Sequence, residues 1–299
     1  MKVLIKRNLG VYYMIIASLF FAFTGAFGKA LSAGGMSSVE VAFFRNIVGL
    51  IIVSWAIYKF GHVSKGGRPI LLALRGVVGA ISMLALFYNI ATIGLAESFT
   101  FAKMSTIFIA IFGAVLFKER IGFWVWFGII VGFLGIVLIM QPNIGFEKSD
   151  FTGILNAVLA AVAYMSVYEL KKYYDTKIIV FSFVFAGTVL PLFCMGVAEF
   201  FIIPSNLDFL FAKFIMPNLI MWVYILLMGI CGFGFQAYMT KAYATTKKAG
   251  TIAAISYVDI LFSLIIGIIM GDSLPNLLAF FGIILVIVSG IIVATQKNK

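Results

Sequence analysis

Residues 105–141 read STIFIAIFGAVLFKERIGFWVWFGIIVGFLGIVLIMQ, and residues 258–296 read VDILFSLIIGIIMGDSLPNLLAFFGIILVIVSGIIVATQ. Each runs through an apolar helix to an acidic turn and then into a helix led by glycine. A shift of 153 places Glu119 on Asp272, and Gly128-Ile129-Ile130 then falls one residue from Gly282-Ile283-Ile284. Nearer the start, a shift of 143 places Gly10 on Gly153 and Lys29 on Lys172. The chain therefore reads as a duplication, with halves 1–148 and 149–299. Apolar stretches broken by glycine, proline or charge predict ten helices, at 11–31, 38–60, 69–93, 96–117, 122–141, 152–171, 178–202, 218–243, 249–270 and 275–295. Five helices followed by five inverts the second set, because an odd number of crossings turns the chain over. Inverted internal symmetry of this kind marks secondary transporters, with the substrate site near the midplane between halves.

Composition agrees. The 299 residues are 63% hydrophobic and 11% charged, with a mean hydropathy of +1.14, whereas soluble chains run about 45–50% apolar and about 25% charged. Spanning helices take about 20 residues each, so ten leave only short connections. That excludes a folded ectodomain, a tethered soluble enzyme and a nucleotide-driven pump carrying its own nucleotide domain. The fold class expected is an all-α integral membrane protein of ten transmembrane helices in two inverted five-helix repeats. Lys2, Lys6 and Arg7 before an apolar run imitate a signal peptide, but Tyr12 to Ala30 is too long for one and reads as a retained first helix.

Net charge is +11, from 22 Lys and Arg against 11 Asp and Glu. With the N-terminus inside, 17 of those 22 fall on the cytoplasmic side; Lys29, Arg45, Lys103, Lys148 and Lys213 do not. Basic residues collect on cytoplasmic loops, so both termini are expected in the cytoplasm of a cell-membrane protein. That count places Arg68 and Arg75 on the cytoplasmic side, Arg75 within the third span. No basic run is long enough to track nucleic-acid phosphates. Cys194 and Cys231 stand in separate apolar stretches, and His62 is the single histidine, so neither a disulfide framework nor a metal site is expected. No phosphate loop, zinc-protease motif or nucleophile elbow occurs, and no cofactor is expected.

Several stretches resemble the EamA-type drug/metabolite transporter superfamily, ten-helix carriers made of two five-helix repeats. They are Glu40-Val41-Ala42-Phe43-Phe44-Arg45, Gly113 to Arg120, Gly128 to Pro142, and, in the second half, Ser256-Tyr257-Val258-Asp259 through Gly271-Asp272 to Gly290. The family often carries a proline thirteen residues before the acidic turn; Thr106 and Asp259 stand there instead. The resemblance implies transport of amino-acid-like, nucleotide-like or drug-like metabolites, and polar side chains in place of a proline kink.

Charged residues inside spans are costly and mark sites by default. Ser256, Asp259, Ser263 and Gly267 share one helix face, and a shift of 153 superposes them on Lys103, Thr106, Ala110 and Ala114. Small residues alone could serve helix packing, but an aspartate well inside an apolar helix asks for a cavity. Tyr88, Tyr164, Tyr168, Tyr238 and Tyr257 lie within spans, and their hydroxyls need partners. Asn89 and Gln236 are polar in mid-span and join them. Arg45 with Glu40 reads as a packing anchor, Glu97 as a solvated cap, and Gly128, Gly132 and Gly135 as close helix contacts. Alternating access would be driven by a proton or by substrate exchange, in a monomer or a homodimer. The competing reading is a membrane-embedded enzyme or lipid-handling protein, which would gather its polar groups at one membrane face. A channel would need more polar lining than Phe, Ile and Leu provide.

Overall fold

The computed structural model describes residues 9–62, 66–117, 122–140, 147–204, 207–245 and 255–295. They form α1 (Leu9–Ala33), α2 (Ser38–Phe60), α3 (Pro69–Thr92), α4 (Leu95–Lys103), α5 (Ser105–Phe117), α6 (Phe123–Met140), α7 (Lys148–Leu170), α8 (Thr176–Phe200), α9 (Leu219–Thr245), α10 (Val258–Ile269) and α11 (Leu277–Thr295), with no strand among the described residues. Helices follow from the solvent: hydrocarbon offers backbone groups no partner, so each apolar run must bond within itself. Six of these helices (α1, α2, α3, α7, α8 and α9) are long and apolar enough to cross a membrane; parts of α6, α10 and α11 are shorter apolar helices.

Local chemistry sets the ends. Ser37 and Glu40 form a capping box that starts α2, Pro69 opens α3, and the Asp175 side chain accepts from the Lys177 N–H at the start of α8. The turn between α3 and α4 is as tight as the sequence implies, because Gly94 takes φ +91°. One expectation is corrected. The span 96–117 is not a single helix: it breaks at Met104 into α4 and α5.

Side chains are distributed for lipid rather than water. Trp124, Ile130 and Leu134 on α6, Leu192 and Phe193 on α8 and Leu226 on α9 face outward, while Glu40, Arg45, Arg75, Asn89, Asn156 and Asp259 are buried. Apolar outside and polar inside, on helices of spanning length, make this a multi-pass membrane protein.

Inside, α1 packs along α9, α3 along α7 and α8, α2 against α8, α6 against α11, and α10 against α1 and α4. The α6–α11 contact is backbone on backbone: a Cβ on Gly135 would stand 2.7 Å from the Gly282 carbonyl oxygen. The Ser289 Oγ donates to the Gly128 carbonyl at 2.6 Å in the same seam. Between α3 and α7 the Asn156 Nδ2 donates to the Ser82 carbonyl at 2.6 Å, and the Asn89 Nδ2 to the Ser149 carbonyl at 3.0 Å.

Candidate functional site

The interior polar centre grows out of the two places where a helix is interrupted. α4 ends at Lys103, Met104 turns, and α5 begins at Ser105. In the second half Ser256 and Tyr257 turn before α10 begins at Val258. No proline stands at either break. A helix that stops inside the bundle leaves carbonyls without partners, and the other half supplies one: the Tyr257 hydroxyl donates to the Lys103 carbonyl at 3.2 Å. Tyr257 reaches that carbonyl past Gly290, where any side chain would overlap its ring.

Across the gap the Lys103 ammonium lies 2.7 Å from Asp259 Oδ2 and donates to Ser256 Oγ at 3.1 Å. Lys103 sits at the C-terminal end of α4 and Asp259 in the first turn of α10, so each charge meets the helix-dipole end that favours it. The pair is nearly dry, with side-chain exposures of 16% for Lys103 and 1% for Asp259. The other carboxylate oxygen, Asp259 Oδ1, is buried with no hydrogen-bond donor among the described residues. Phe21 stacks on Phe99 and on Phe235, with both ring-centroid separations 4.5 Å, joining α1, α4 and α9.

The structure thus gathers Lys103, Ser256, Tyr257 and Asp259. Thr106 lies half-buried in the first turn of α5 nearby. The Ser263 hydroxyl is spent on the Ile260 carbonyl of its own helix, at 2.8 Å. Other candidates lie elsewhere. Tyr88 packs edge-on against Phe209 with the Lys148 ammonium over its ring. Asn89 also accepts from the Thr152 hydroxyl, fastening α3 to α7. Tyr238 stacks on Phe20 and carries Lys241 over its ring, between α9 and α1. Gln236 is half-buried on α9, and Tyr164, 45% exposed, stands on α7. The side chains of Tyr168, Ala110 and Ala114 lie outside the described residues, as does Glu119.

Sequence reasoning missed two features. Asp272 is more than a turn residue: it pairs with Lys29 at the end of α1 and accepts from the Leu95 N–H at 3.2 Å, tying α1, α4 and the end of α10 together. Glu97 lies beside this tie with Ser263 and Ile268. Both charges were visible, but their meeting needed the packing of three helices. The second is Arg75, read from the sequence only as a charge on the cytoplasmic side and buried on α3. Glu40 does not pair with Arg45; its carboxylate caps α2 and accepts from the Ile215 N–H at 2.6 Å. At the end of α7, Glu169 pairs with Lys172 at 2.7 Å and with Arg68 at 3.5 Å, the structural pair the sequence implies.

An apolar helical bundle that brings charged side chains together at interrupted helices is built as a membrane transporter. Residues 8–141 match the EamA-like transporter family. An uncharacterized transporter of Helicobacter pylori is 32% identical over 95% of this chain and 94% of its own length. The pseudopaline exporter of Pseudomonas aeruginosa is 30% identical over 97% of both. One solved crystal structure superposes with a TM-score of 0.60 over 98% of each chain at 19% identity, a likeness of fold. This chain belongs to the EamA-like transporter family, a family of transporters and not of enzymes.

Proposed function

We propose that the protein is a ten-span secondary transporter of the cytoplasmic membrane, both termini inside, which moves a small organic metabolite by alternating access between two inverted five-helix repeats. One observation carries this. Lys103 touches Ser256, the residue 153 positions further on, which is its own counterpart under the shift that relates the halves. A residue can meet its own counterpart only beside the axis that exchanges them. Three further facts support the same axis. The breaks at Met104 and Tyr257 are also 153 apart. The packing of α1 on α9 is matched by that of α7 on α3, and α6 meets its counterpart α11.

Mechanistically, the site of exchange is the gap held by Lys103 and Asp259. When a cationic group or a proton arrives, Asp259 Oδ1 is free to accept it, and the ion pair to Lys103 is what it must compete with. The tie of Lys29, Asp272 and Leu95 closes the far end of α1 and α10; rocking of the repeats requires it to open. Tyr257, Ser256 and Thr106 line the gap.

The test is a ligand-stabilisation screen of the purified protein, since a true substrate raises the melting temperature by mass action. The best stabiliser is then offered to proteoliposomes. It accumulates with the wild type and not with Asp259→Asn; equal accumulation with both would refute the role of this centre.

A further inference from the structure

Arg45 on α2 and Arg75 on α3 are buried, at 6% and 8% exposure, and both guanidiniums are drawn to one ring. The Cζ atoms stand 5.6 Å and 4.7 Å from the Phe183 centroid, so their separation is at most the sum of those distances. Neither meets a carboxylate among the described residues, although the interior holds acids. Each buried acid is already engaged: Glu40 by Ser37 and Ile215, Asp150 by the Glu147 N–H, and Asp259 by Lys103. Arg45 Nη1 makes only neutral contacts, to Asn46 Oδ1 at 3.1 Å and to Met83 Sδ at 3.5 Å. Arg75 Nε is buried with no hydrogen-bond partner among the described residues.

The surroundings are shaped for these groups. A side chain on Gly79 would strike Arg75 Nη1 and the Phe183 ring, and one on Gly232 would stand 3.0 Å from Arg45 Nε. Tyr164 on α7 lies within electrostatic reach of both guanidiniums. Two uncompensated cations in a membrane interior are expensive, and ionisable residues kept there mark a ligand pathway. A guanidinium presents a fork of N–H donors that fits a carboxylate with two parallel bonds.

We infer that Arg45 and Arg75 hold a carboxylate of the transported metabolite, making the substrate an organic anion. Asp259 and Lys103 would receive the rest of the molecule. Gly79 and Gly232 leave room for the two forks beside the Phe183 ring. This deepens the transport reading above and rests on it.

The experiment uses the full chain in detergent. Succinate, glutamate and citrate are each compared with their own amides at equal ionic strength, with inorganic phosphate as a further arm, and the melting temperature is read. At least one carboxylate is expected to raise it where its amide does not. Arg45→Gln and Arg75→Gln each weaken that carboxylate roughly tenfold or more, as expected for a lost charge-assisted fork, while Glu169→Gln, at the end of α7, retains it. Wild-type proteoliposomes give a second readout independent of folding variants: phenylglyoxal labels Arg45 and Arg75, and the stabilising carboxylate protects both. Stabilisation by amides equal to that by acids, or by phosphate alone, overturns the carboxylate assignment. So does Arg75→Gln protein that keeps the full shift. Failure of the transport reading has a different signature, namely Asp259→Asn transporting like the wild type.

Discussion

Replacing Lys103 by methionine isolates the energetics of the central pair. The Asp259 carboxylate is 1% exposed and its Oδ1 has no donor of its own among the described residues, so Lys103→Met strands a charge. Removing one partner of a buried ion pair costs about 3–5 kcal/mol. Asp259→Leu is milder, because the ammonium keeps 16% exposure and Ser256 as an acceptor. Exchanging both residues for apolar ones of similar size removes the stranded charge and is often nearly neutral. The double variant Lys103→Met with Asp259→Leu is therefore more stable than Lys103→Met alone, by about 3–5 kcal/mol, the cost of the stranded charge that it no longer carries. Unfolding titrated with increasing SDS fraction in mixed micelles measures all four proteins. A double variant as unstable as Lys103→Met, or additively worse, would show that the two side chains do not act as a pair.

The tie at the far end gives a second expectation. Lys29→Met frees Asp272, and a cysteine placed at Ser263 then reacts faster with an impermeant maleimide added outside than it does in the protein with Lys29 intact. Gly290→Ala drives the Tyr257 ring off the Lys103 carbonyl; overpacking of about 1–3 kcal/mol and a lost hydrogen bond lower the unfolding midpoint, and Tyr257→Phe in the same background adds little. The Glu169 carboxyl is held below its ordinary value by its hydrogen bond to Lys172 and by the charges of Lys172 and Arg68. Its stabilisation is present above the ordinary glutamate value and lost as pH falls through the lowered one, so unfolding midpoints of wild type and Glu169→Gln converge only on the acid side of that range.

Much of the frame was legible because lipid imposes a simple rule on sequence. Runs such as Phe123–Met140 or Leu219–Thr245 could be read as helices from hydropathy alone, and Gly94 as the turn between α3 and α4. The break at Met104 was not legible. Nothing local marks it, since what satisfies the freed carbonyl is Tyr257, more than 150 residues away. The periodicity placed Lys103 and Asp259 on corresponding faces, and the opposite charges were the available hint that those faces meet. For α3 the pattern could not say which polar residue looked inward: Asn89 turns to α7, while Arg75, read only as a charge on the cytoplasmic side, turns to Phe183. Neighbouring helices settle such questions, and a single sequence does not display them.

On the proposed two-repeat reading, the contact between Lys103 and Ser256 also bears on how the halves diverged. In an ancestral pair of identical subunits a lysine at that spot would have confronted a second lysine, and an aspartate three residues on would have been doubled as well. Only after fusion into one polypeptide could the two copies mutate separately and become lysine on one side and serine on the other. On that reading, the pairing of lysine with serine at the middle of this protein is one that a symmetric homodimer could not hold.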